Sequence, residues 1–148
     1  MKILYWLVVS AIIFAITEVQ GAEARLTLPV ASYHLDRTQG YNERNYGVGI
    51  EYTVATDLRL KLDDYKNSFN RNSIVAGAIY TPLDVKVAHL GAILAVVNGY
   101  AMHNNGGFFP ALIPVISFDR WRVGANVFYA PKYKDGQAVW GFELMVKF

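Results

Sequence analysis

The last nine residues of the chain alternate between apolar side chains and mostly small or polar ones, and this constrains the fold more than any other feature of the sequence. The apolar positions are Trp140, Phe142, Leu144, Val146 and Phe148. Because successive side chains of a β-strand point to opposite faces, a period of two indicates a strand with one apolar face. The same period recurs at residues 46–54, 58–63 and 121–129.

Four further segments are predicted as strands, which brings the total to eight: residues 25–36, 72–81, 83–97 and 107–118. Short links are expected at 55–57, 81–84 and 119–120, and they alternate with longer polar links at 37–43, 66–71, 98–106 and 132–137. Membrane β-barrels have at least eight strands, joined alternately by tight periplasmic turns and longer outer loops. The sequence therefore predicts an all-β fold, an eight-stranded antiparallel transmembrane β-barrel. A soluble two-sheet sandwich, the alternative, leaves the alternating links and the terminal Phe148 unexplained.

The first residues have the layout of a secretory signal peptide. Lys2 supplies a positive start, residues 3–16 are almost entirely apolar, and small residues follow. We predict a signal peptide at 1–21, with cleavage between 21 and 24, and a barrel at 22–148. The alternative is an uncleaved anchor helix, but the apolar stretch is shorter than the roughly 20 residues that a spanning helix needs.

Composition narrows the function classes. The chain has no cysteine, and its formal net charge of +2 is too small to indicate nucleic-acid binding. Aromatic residues make up 14% of the chain and include ten tyrosines, which suits the aromatic girdles of a membrane barrel. No metal-ligand spacing, phosphate-binding loop or nucleophile elbow is present, so no cofactor and no metal are predicted.

Two features depart from an ordinary small barrel. The sixth predicted strand is apolar on both faces, with Phe109, Ala111, Ile113 and Val115 on one of them. A narrow barrel usually has a polar interior, so this strand indicates either a dry pocket for a hydrocarbon chain or side chains that fill the interior. Prolines also lie inside predicted strands, where each removes a hydrogen-bond donor and opens a gap or marks a bulge: Pro29, Pro110, Pro114 and Pro131.

One histidine is placed where it could carry chemistry. His34 lies near the outer end of the first predicted strand, and Ser68 lies in the second outer link on the same rim. A histidine titrates near neutral pH and can take a proton from a hydroxyl group, so the pair predicts an acid–base site for acyl transfer. His89 is assigned to packing or hydrogen bonding within a strand, and His103 to a solvated loop.

Across nearly all of the sequence after residue 22, the chain resembles the PagP family, the lipid A palmitoyltransferases of Gram-negative outer membranes. The specific motif is Tyr41-Asn42-Glu43-Arg44, with His34 at the family's spacing before it. The segment Lys66-Asn67-Ser68 resembles the family's catalytic Asp-Ser pair, and the proline-containing sixth strand and the segment from Tyr129 to Phe148 also have counterparts.

The resemblance implies a fold, a reaction and a set of roles. It implies an eight-stranded barrel with an apolar pocket that measures the acyl chain, and transfer of that chain from a phospholipid to lipid A. Lipids would enter through gaps at Pro29, Pro114 and Pro131. By position the catalytic residues are His34, Ser68 and Asn67, and the substrate-binding residues are Tyr41, Glu43, Arg44 and Ile79. It also implies an outer-membrane monomer, inserted by the barrel assembly machinery through the strand ending at Phe148.

The chain departs from the family at three positions. Asn67 stands where the family has aspartate, and an amide does not stabilise an imidazolium as a carboxylate does; Asp63 or Asp64 is a nearby substitute. Asn45 replaces a proline, which alters one expected gap. Ile79 lies where well-known members have a small residue at the pocket floor, which predicts a shorter acyl chain. The family's N-terminal amphipathic helix has no counterpart.

Three functions remain open at this stage. The first is a lipid A acyltransferase, favoured by His34 and Ser68. The second is a non-catalytic barrel that keeps the scaffold for lipid binding or a surface role, favoured by Asn67. The third, a lipid A deacylase, ranks last because only Ser32 and His34 place a serine and a histidine close together in one strand.

Overall fold

The computed structural model describes residues 23–132 and 137–148, and the predicted signal peptide lies outside these residues. It contains eight strands and one short 3₁₀ turn, Asn104–Gly106. The strands are β1 (Ala24–His34), β2 (Gly47–Ala55), β3 (Leu58–Lys66), β4 (Asn72–Val85), β5 (Ala88–Val97), β6 (Phe109–Phe118), β7 (Val123–Ala130) and β8 (Val139–Lys147). Within the described ranges, no helix has the length and apolar character to cross a membrane.

Each strand pairs antiparallel with its neighbours in sequence, and β8 pairs with β1 to close a barrel. The predicted eight-stranded antiparallel barrel is therefore confirmed. Closure gives each strand a neighbouring strand on both sides. We call the end with the longer links the outer rim; its described residues are 35–46, 67–71, 98–108, 131–132 and 137–138.

The turn predicted at residues 81–84 is wrong. Strand β4 continues to Val85, and the chain reverses at Lys86, which has a positive φ of 58°. The register between β4 and β5 shifts between Tyr80 and Leu83, so Thr81 and Pro82 form an irregularity within the ladder. Such an irregularity accommodates a proline without ending the strand.

The two faces of the wall differ in the way that the alternation predicts. Outward side chains in mid-strand are large, apolar and exposed, and they form a belt around the barrel: Leu26, Val48, Leu60, Leu62, Leu94, Leu112, Phe142 and Leu144. An apolar surface that encircles the molecule is far larger than the patches that soluble monomers expose. It is the surface that a strand in contact with lipid presents.

The interior near the short turns is filled by buried charges from β1, β2, β3, β8 and the β6–β7 turn. The charged members are Arg25, Glu51, Arg59, Lys61, Asp63, Asp119 and Glu143. Lys61 Nζ lies 2.7 Å from both Glu143 and Asp63, and Arg59 donates to Glu51 at 2.9 Å and to Asp119 at 2.7 Å. We call these seven residues the charged plug, because they close this end of the lumen.

The middle of the lumen is apolar. Ile79, Ile93, Ala95 and Val115 are buried there, with Val75, Ile113 and Phe128 packed against them. The structure places the inner face of β6 in this region and the opposite face, including Leu112, on the outside. The aromatic ring of Phe128 lies over Gly141 of β8, where any side chain would collide with it. The apolar cluster therefore lies directly beside the charged plug, since Ile79 pairs with Arg59 and Val75 pairs with Asp63 on the adjacent strand.

The ladder is incomplete at two seams. Strand β1 pairs with β2 only from Ala24 to Thr27, and β6 pairs with β7 only from Val115 to Phe118. Above the first seam, two backbone hydrogen bonds still link β1 to the next segment, from Ser32 N to Glu43 O and from Asn45 N to Val30 O. Above the second seam, residues 109–114 pair with β5 and not with β7.

Candidate functional site

The structure brings His34 and Ser68 together at the outer rim. His34 is the last residue of β1 and is only 3% exposed, and its Nε2 atom lies 2.9 Å from Ser68 Oγ. The two residues are 34 positions apart in sequence and reach each other because β1 and the β3–β4 link end at the same rim. An imidazole nitrogen at this distance can accept the proton of the hydroxyl group.

Asn67 holds the link that carries Ser68. Its side chain is fully buried and uses all its hydrogen-bonding capacity locally. Nδ2 donates to Ser73 Oγ at 2.8 Å and to Gly99 O at 3.0 Å, while Oδ1 accepts from the backbone N–H groups of Phe69 and Arg71. The predicted third member of the catalytic set therefore shapes the loop and contacts Ser68 only through the chain.

Neither nearby aspartate reaches the site. Asp63 belongs to the charged plug, where it accepts from Thr27 Oγ1 at 2.6 Å and pairs with Lys61. The side chain of Asp64 lies on the outer face of β3 and is exposed. The sequence suggested that Asp63 or Asp64 could supply the carboxylate that position 67 lacks. In the structure neither aspartate is placed to do so.

The Tyr41-to-Arg44 motif packs against His34 through two of its members. The ring of Tyr41 stacks on the imidazole with centroids 4.7 Å apart. The Oε1 atom of Glu43 accepts the backbone N–H of His34 at 3.1 Å and lies 3.7 Å from Nδ1 of the ring. Arg44 is exposed. Of the three motif residues predicted to bind substrate, Tyr41 and Glu43 lie at the candidate site and Arg44 lies on the surface.

Glu43 is negatively charged at neutral pH. Its pKa lies below the usual value, chiefly because the carboxylate accepts the His34 N–H, and further because Arg37 donates to Oε2 at 2.7 Å.

The amide of Asn42 donates to Asn67 O at 3.0 Å, and its backbone N–H donates to Ser68 O at 2.9 Å. These bonds fix the link containing Glu43 against the link containing Ser68.

A cavity of about 580 Å³ runs inward from His34 and Ser68. Its walls are mainly apolar, including Val75, Ile93, Ile113 and Phe128, and its inner end reaches Lys61 and Glu143 of the charged plug. This volume lies in the roughly 300–1,000 Å³ range of small-molecule sites. The predicted apolar pocket is therefore present, and the plug closes it at the inner end.

The remaining predicted positions surround this cavity. Ile79 is completely buried and packs with the apolar middle of the lumen, next to the wall residue Ile93. Pro29 lines the cavity beside a register shift in β1, and Pro131 lines it just beyond the end of β7. Pro114 faces outward from β6 at the height where β6 has no pairing with β7.

Aromatic rings from the outer links form a chain across the cavity mouth. Phe69 packs edge-on against Tyr41 and against Tyr100, with centroids 5.4 and 5.9 Å apart, and Tyr100 packs edge-on against Phe109 at 6.0 Å. The hydroxyl of Tyr100 is 2.9 Å from that of Tyr65, which anchors the third outer link to β3.

Sequence reasoning missed two parts of this arrangement. The charged plug was visible as charged residues on the inner face of the predicted strands, and a count of inward charges of both signs would have found it. The contact between Glu43 and the ring of His34 had no such signal, because it depends on how the link at 35–46 folds. Among the described residues, no group of three or more metal-ligating side chains is placed to hold a metal ion.

Comparison with known proteins shows the fold. No protein-family model matches the chain, and no curated protein matches its sequence. The chain is similar to the de novo designed protein TMB2.3, with a TM-score of 0.61 and 14% identity, covering 88% of this chain and 98% of that one. It is also similar to the Yersinia pestis outer membrane protein Ail in a phospholipid bilayer nanodisc, with a TM-score of 0.47 and 12% identity, covering 86% and 99%. This chain shares the fold of TMB2.3.

Proposed function

We propose that the protein is a lipid A acyltransferase of a Gram-negative outer membrane, which takes its acyl chain from a phospholipid. The observation that carries the proposal is the 2.9 Å contact between His34 Nε2 and Ser68 Oγ at the mouth of an apolar cavity. An acyl chain lying in that cavity would place its ester carbonyl beside the two groups. The resemblance of the motif at Tyr41–Arg44 and of its spacing from His34 supplies the substrate class.

The chemistry requires a proton to move twice. The ester bond between the acyl chain and the phospholipid glycerol breaks, and an ester bond to an acceptor hydroxyl of lipid A forms. In this proposal His34 takes the proton of the attacking hydroxyl and returns it to the leaving glycerol oxygen. Ser68 either attacks the phospholipid ester first and forms a covalent acyl intermediate, or its hydroxyl group holds the acceptor. Both routes need the observed contact between Ser68 and Nε2.

The barrel offers a membrane lipid a way into the cavity. The exposed apolar belt matches a lipid environment, because outward leucines and aromatics there would be in contact with water in a soluble protein. The chain segments at residues 109–114 and 129–131 contribute to the cavity wall where β6 and β7 do not pair. A hydrocarbon chain that passes between them would stay out of water throughout its path.

The test is mass spectrometry of lipid A from cells that lack their own acyltransferase and express this protein. We expect one additional acyl chain, with loss of at least about 99% of the product in His34→Gln and in Ser68→Ala, since acid–base groups contribute roughly 10²–10⁴-fold. His89→Gln and Thr38→Ala are the matched controls. His89 lies near the short turns and bonds Asp119, and the Thr38 hydroxyl donates to Asp36 in the exposed first link.

Heat-modifiable gel mobility would show that each variant is folded. A folded wild-type barrel that adds no acyl chain would overturn the proposal and leave the lipid-binding scaffold as the better explanation. Product formation that survives both His34→Gln and Ser68→Ala would mean that the chemistry happens elsewhere in the molecule. The mass of the added chain would also test whether Ile79 selects an acyl chain shorter than palmitoyl.

A further inference from the structure

One ring nitrogen of His34 has a hydrogen-bond partner among the described residues, and the other has none. Nε2 faces Ser68, whereas Nδ1 is buried and makes no hydrogen bond to any described residue. A neutral histidine is basic at only one ring nitrogen, and the group next to the other nitrogen selects which nitrogen that is. The group that faces Nδ1 therefore determines whether Nε2 is free to accept a proton.

We infer that Glu43 is the positioning carboxylate of this site, which keeps the proton of His34 on Nδ1 and leaves Nε2 free toward Ser68. This inference rests on the proposed function, since it assigns Glu43 a role in the same site. In the described parts of the chain, Glu43 is the only carboxylate with an oxygen within 4 Å of the His34 ring. Asn67 has no role in orienting the ring, because its amide is saturated by the loop.

The carboxylate is already held in place for this task. The same Oε1 atom that lies 3.7 Å from Nδ1 accepts the backbone N–H of His34 at 3.1 Å. Arg37 binds the other oxygen and lies over the ring of Tyr33, 5.5 Å from its centroid, so the far side of Glu43 is also fixed. Hydrogen bonds between catalytic groups are often long without substrate and shorten when it binds.

Among the residues that the structure describes, the ring faces few other ionisable groups. Tyr41 stacks on it from the same link, Ser68 approaches from the β3–β4 link, and Arg37 contacts Glu43 and not the imidazole. A change in the charge at position 43 should therefore act directly on the imidazole. Removal of the Arg37 charge should act in the opposite direction, because it leaves the Glu43 charge uncompensated.

Two variants with opposite expected effects test the inference. Glu43→Gln keeps an acceptor for the His34 N–H but removes the charge, and Arg37→Met keeps the carboxylate but removes its counter-charge. Asp36→Asn is the matched control, because Asp36 is a carboxylate in the same link whose only hydrogen-bond partner among the described residues is Thr38. The readouts are transfer of a radiolabelled myristoyl or palmitoyl chain from phosphatidylcholine to lipid A in mixed micelles, and ¹⁵N NMR titration of the His34 ring.

We expect Glu43→Gln to lower kcat about tenfold or more while KM stays within about twofold. The acidic limb of its rate profile and the NMR titration midpoint should both move to lower pH. Arg37→Met should move both to higher pH, and Asp36→Asn should change neither. This opposite pair of shifts would not arise if Glu43 served only to hold the loop.

The outcomes separate this inference from the proposed function. If the wild-type protein transfers no acyl chain but the NMR midpoints still shift in opposite directions, the pairing of Glu43 with His34 stands and the acyltransferase proposal fails. If the wild-type protein is active and Glu43→Gln matches it in kcat, rate profile and NMR midpoint, the inference is overturned and the enzyme remains. If Glu43→Gln does not fold, Arg37→Met decides the inference. A shift of the His34 NMR midpoint to higher pH supports it, and any other result overturns it.

Discussion

The side-chain amide of Asn67 both donates and accepts hydrogen bonds, and a carboxylate could only accept them. Its Nδ2 group satisfies the carbonyl of Gly99 from the third outer link, and its Oδ1 atom satisfies two N–H groups of its own turn. One buried residue thus joins two links and sets the position of Ser68.

We therefore expect Asn67→Asp to destabilise the protein, although the resemblance drawn from the sequence implies an aspartate at this position. A carboxylate oxygen would face the Gly99 carbonyl, now 3.0 Å from Nδ2, at a cost of about 1–3 kcal/mol in the free energy of unfolding. Urea unfolding in lipid vesicles measures this change. Asn70→Asp, the same substitution at an exposed neighbour, should change stability by less than about 0.5 kcal/mol.

A stable Asn67→Asp variant with faster acyl transfer would contradict this expectation. It would show that a carboxylate at position 67 can reach the reacting groups, and it would weaken the role inferred for Glu43. Equal destabilisation of Asn67→Asp and Asn70→Asp would instead mean that charge in this link, and not the lost donors, causes the effect.

The strands are joined across the lumen by charge as well as along the wall by backbone hydrogen bonds. Lys61 of β3 contacts Glu143 of β8 and Glu51 of β2, and Asn126 of β7 donates to both carboxylates. Each buried charge in the plug depends on a partner from a different strand. Breaking such a network on one side leaves an uncompensated charge, which costs more than an intact pair contributes.

We expect Lys61→Met to lower the free energy of unfolding by about 3–5 kcal/mol, because it leaves Glu143 and Asp63 without their shared cation. Lys66→Met removes an exposed lysine from the end of the same strand and should cost less than about 0.5 kcal/mol. The double variant Lys61→Met/Glu143→Gln should regain part of the loss. Equal stabilities for the two single variants, measured by urea unfolding in vesicles, would contradict a structural role for the plug.

The strands and the faces of the strands could be predicted from the sequence, since a period of two specifies both. The end of β4 could not, because Pro82 and Asp84 are typical turn residues and only pairing with β5 shows that the strand continues. The site was predicted in part. His34 and Ser68 were identified by their motifs, whereas the contact between Glu43 and the ring depends on a link that no periodicity describes.

At the scale of the whole molecule, the exposed belt is apolar and the buried plug is charged, which is the reverse of the usual distribution in a soluble protein. The leucines that a soluble protein would bury face outward, and several of the charges that it would expose lie inside. Such an arrangement is favourable only where the surroundings are apolar, as they are in the hydrocarbon region of a bilayer.

We expect Leu94→Arg to destabilise the barrel in a bilayer by about 2–4 kcal/mol, because it places a charge on the outer face near the middle of β5. Leu35→Arg is the control, since Leu35 is similarly exposed, 57% against 63%, but lies beyond the end of β1 at the outer rim. Its cost should be about 0–1 kcal/mol. Equal costs, measured by unfolding in vesicles, would argue against a belt in contact with lipid.

The pairing of β1 with β8 also has a consequence for how the molecule folds. Strand β1 pairs with β8 along almost its whole length but with β2 only from Ala24 to Thr27, so its main partner is the strand farthest from it in sequence among the eight. Contacts between residues so distant in sequence form slowly, because the chain between them must first be ordered. Until β8 pairs with it, β1 has only the short ladder to β2, and the wall of the cavity that His34 borders is incomplete. Formation of the candidate site therefore depends on closure of the barrel.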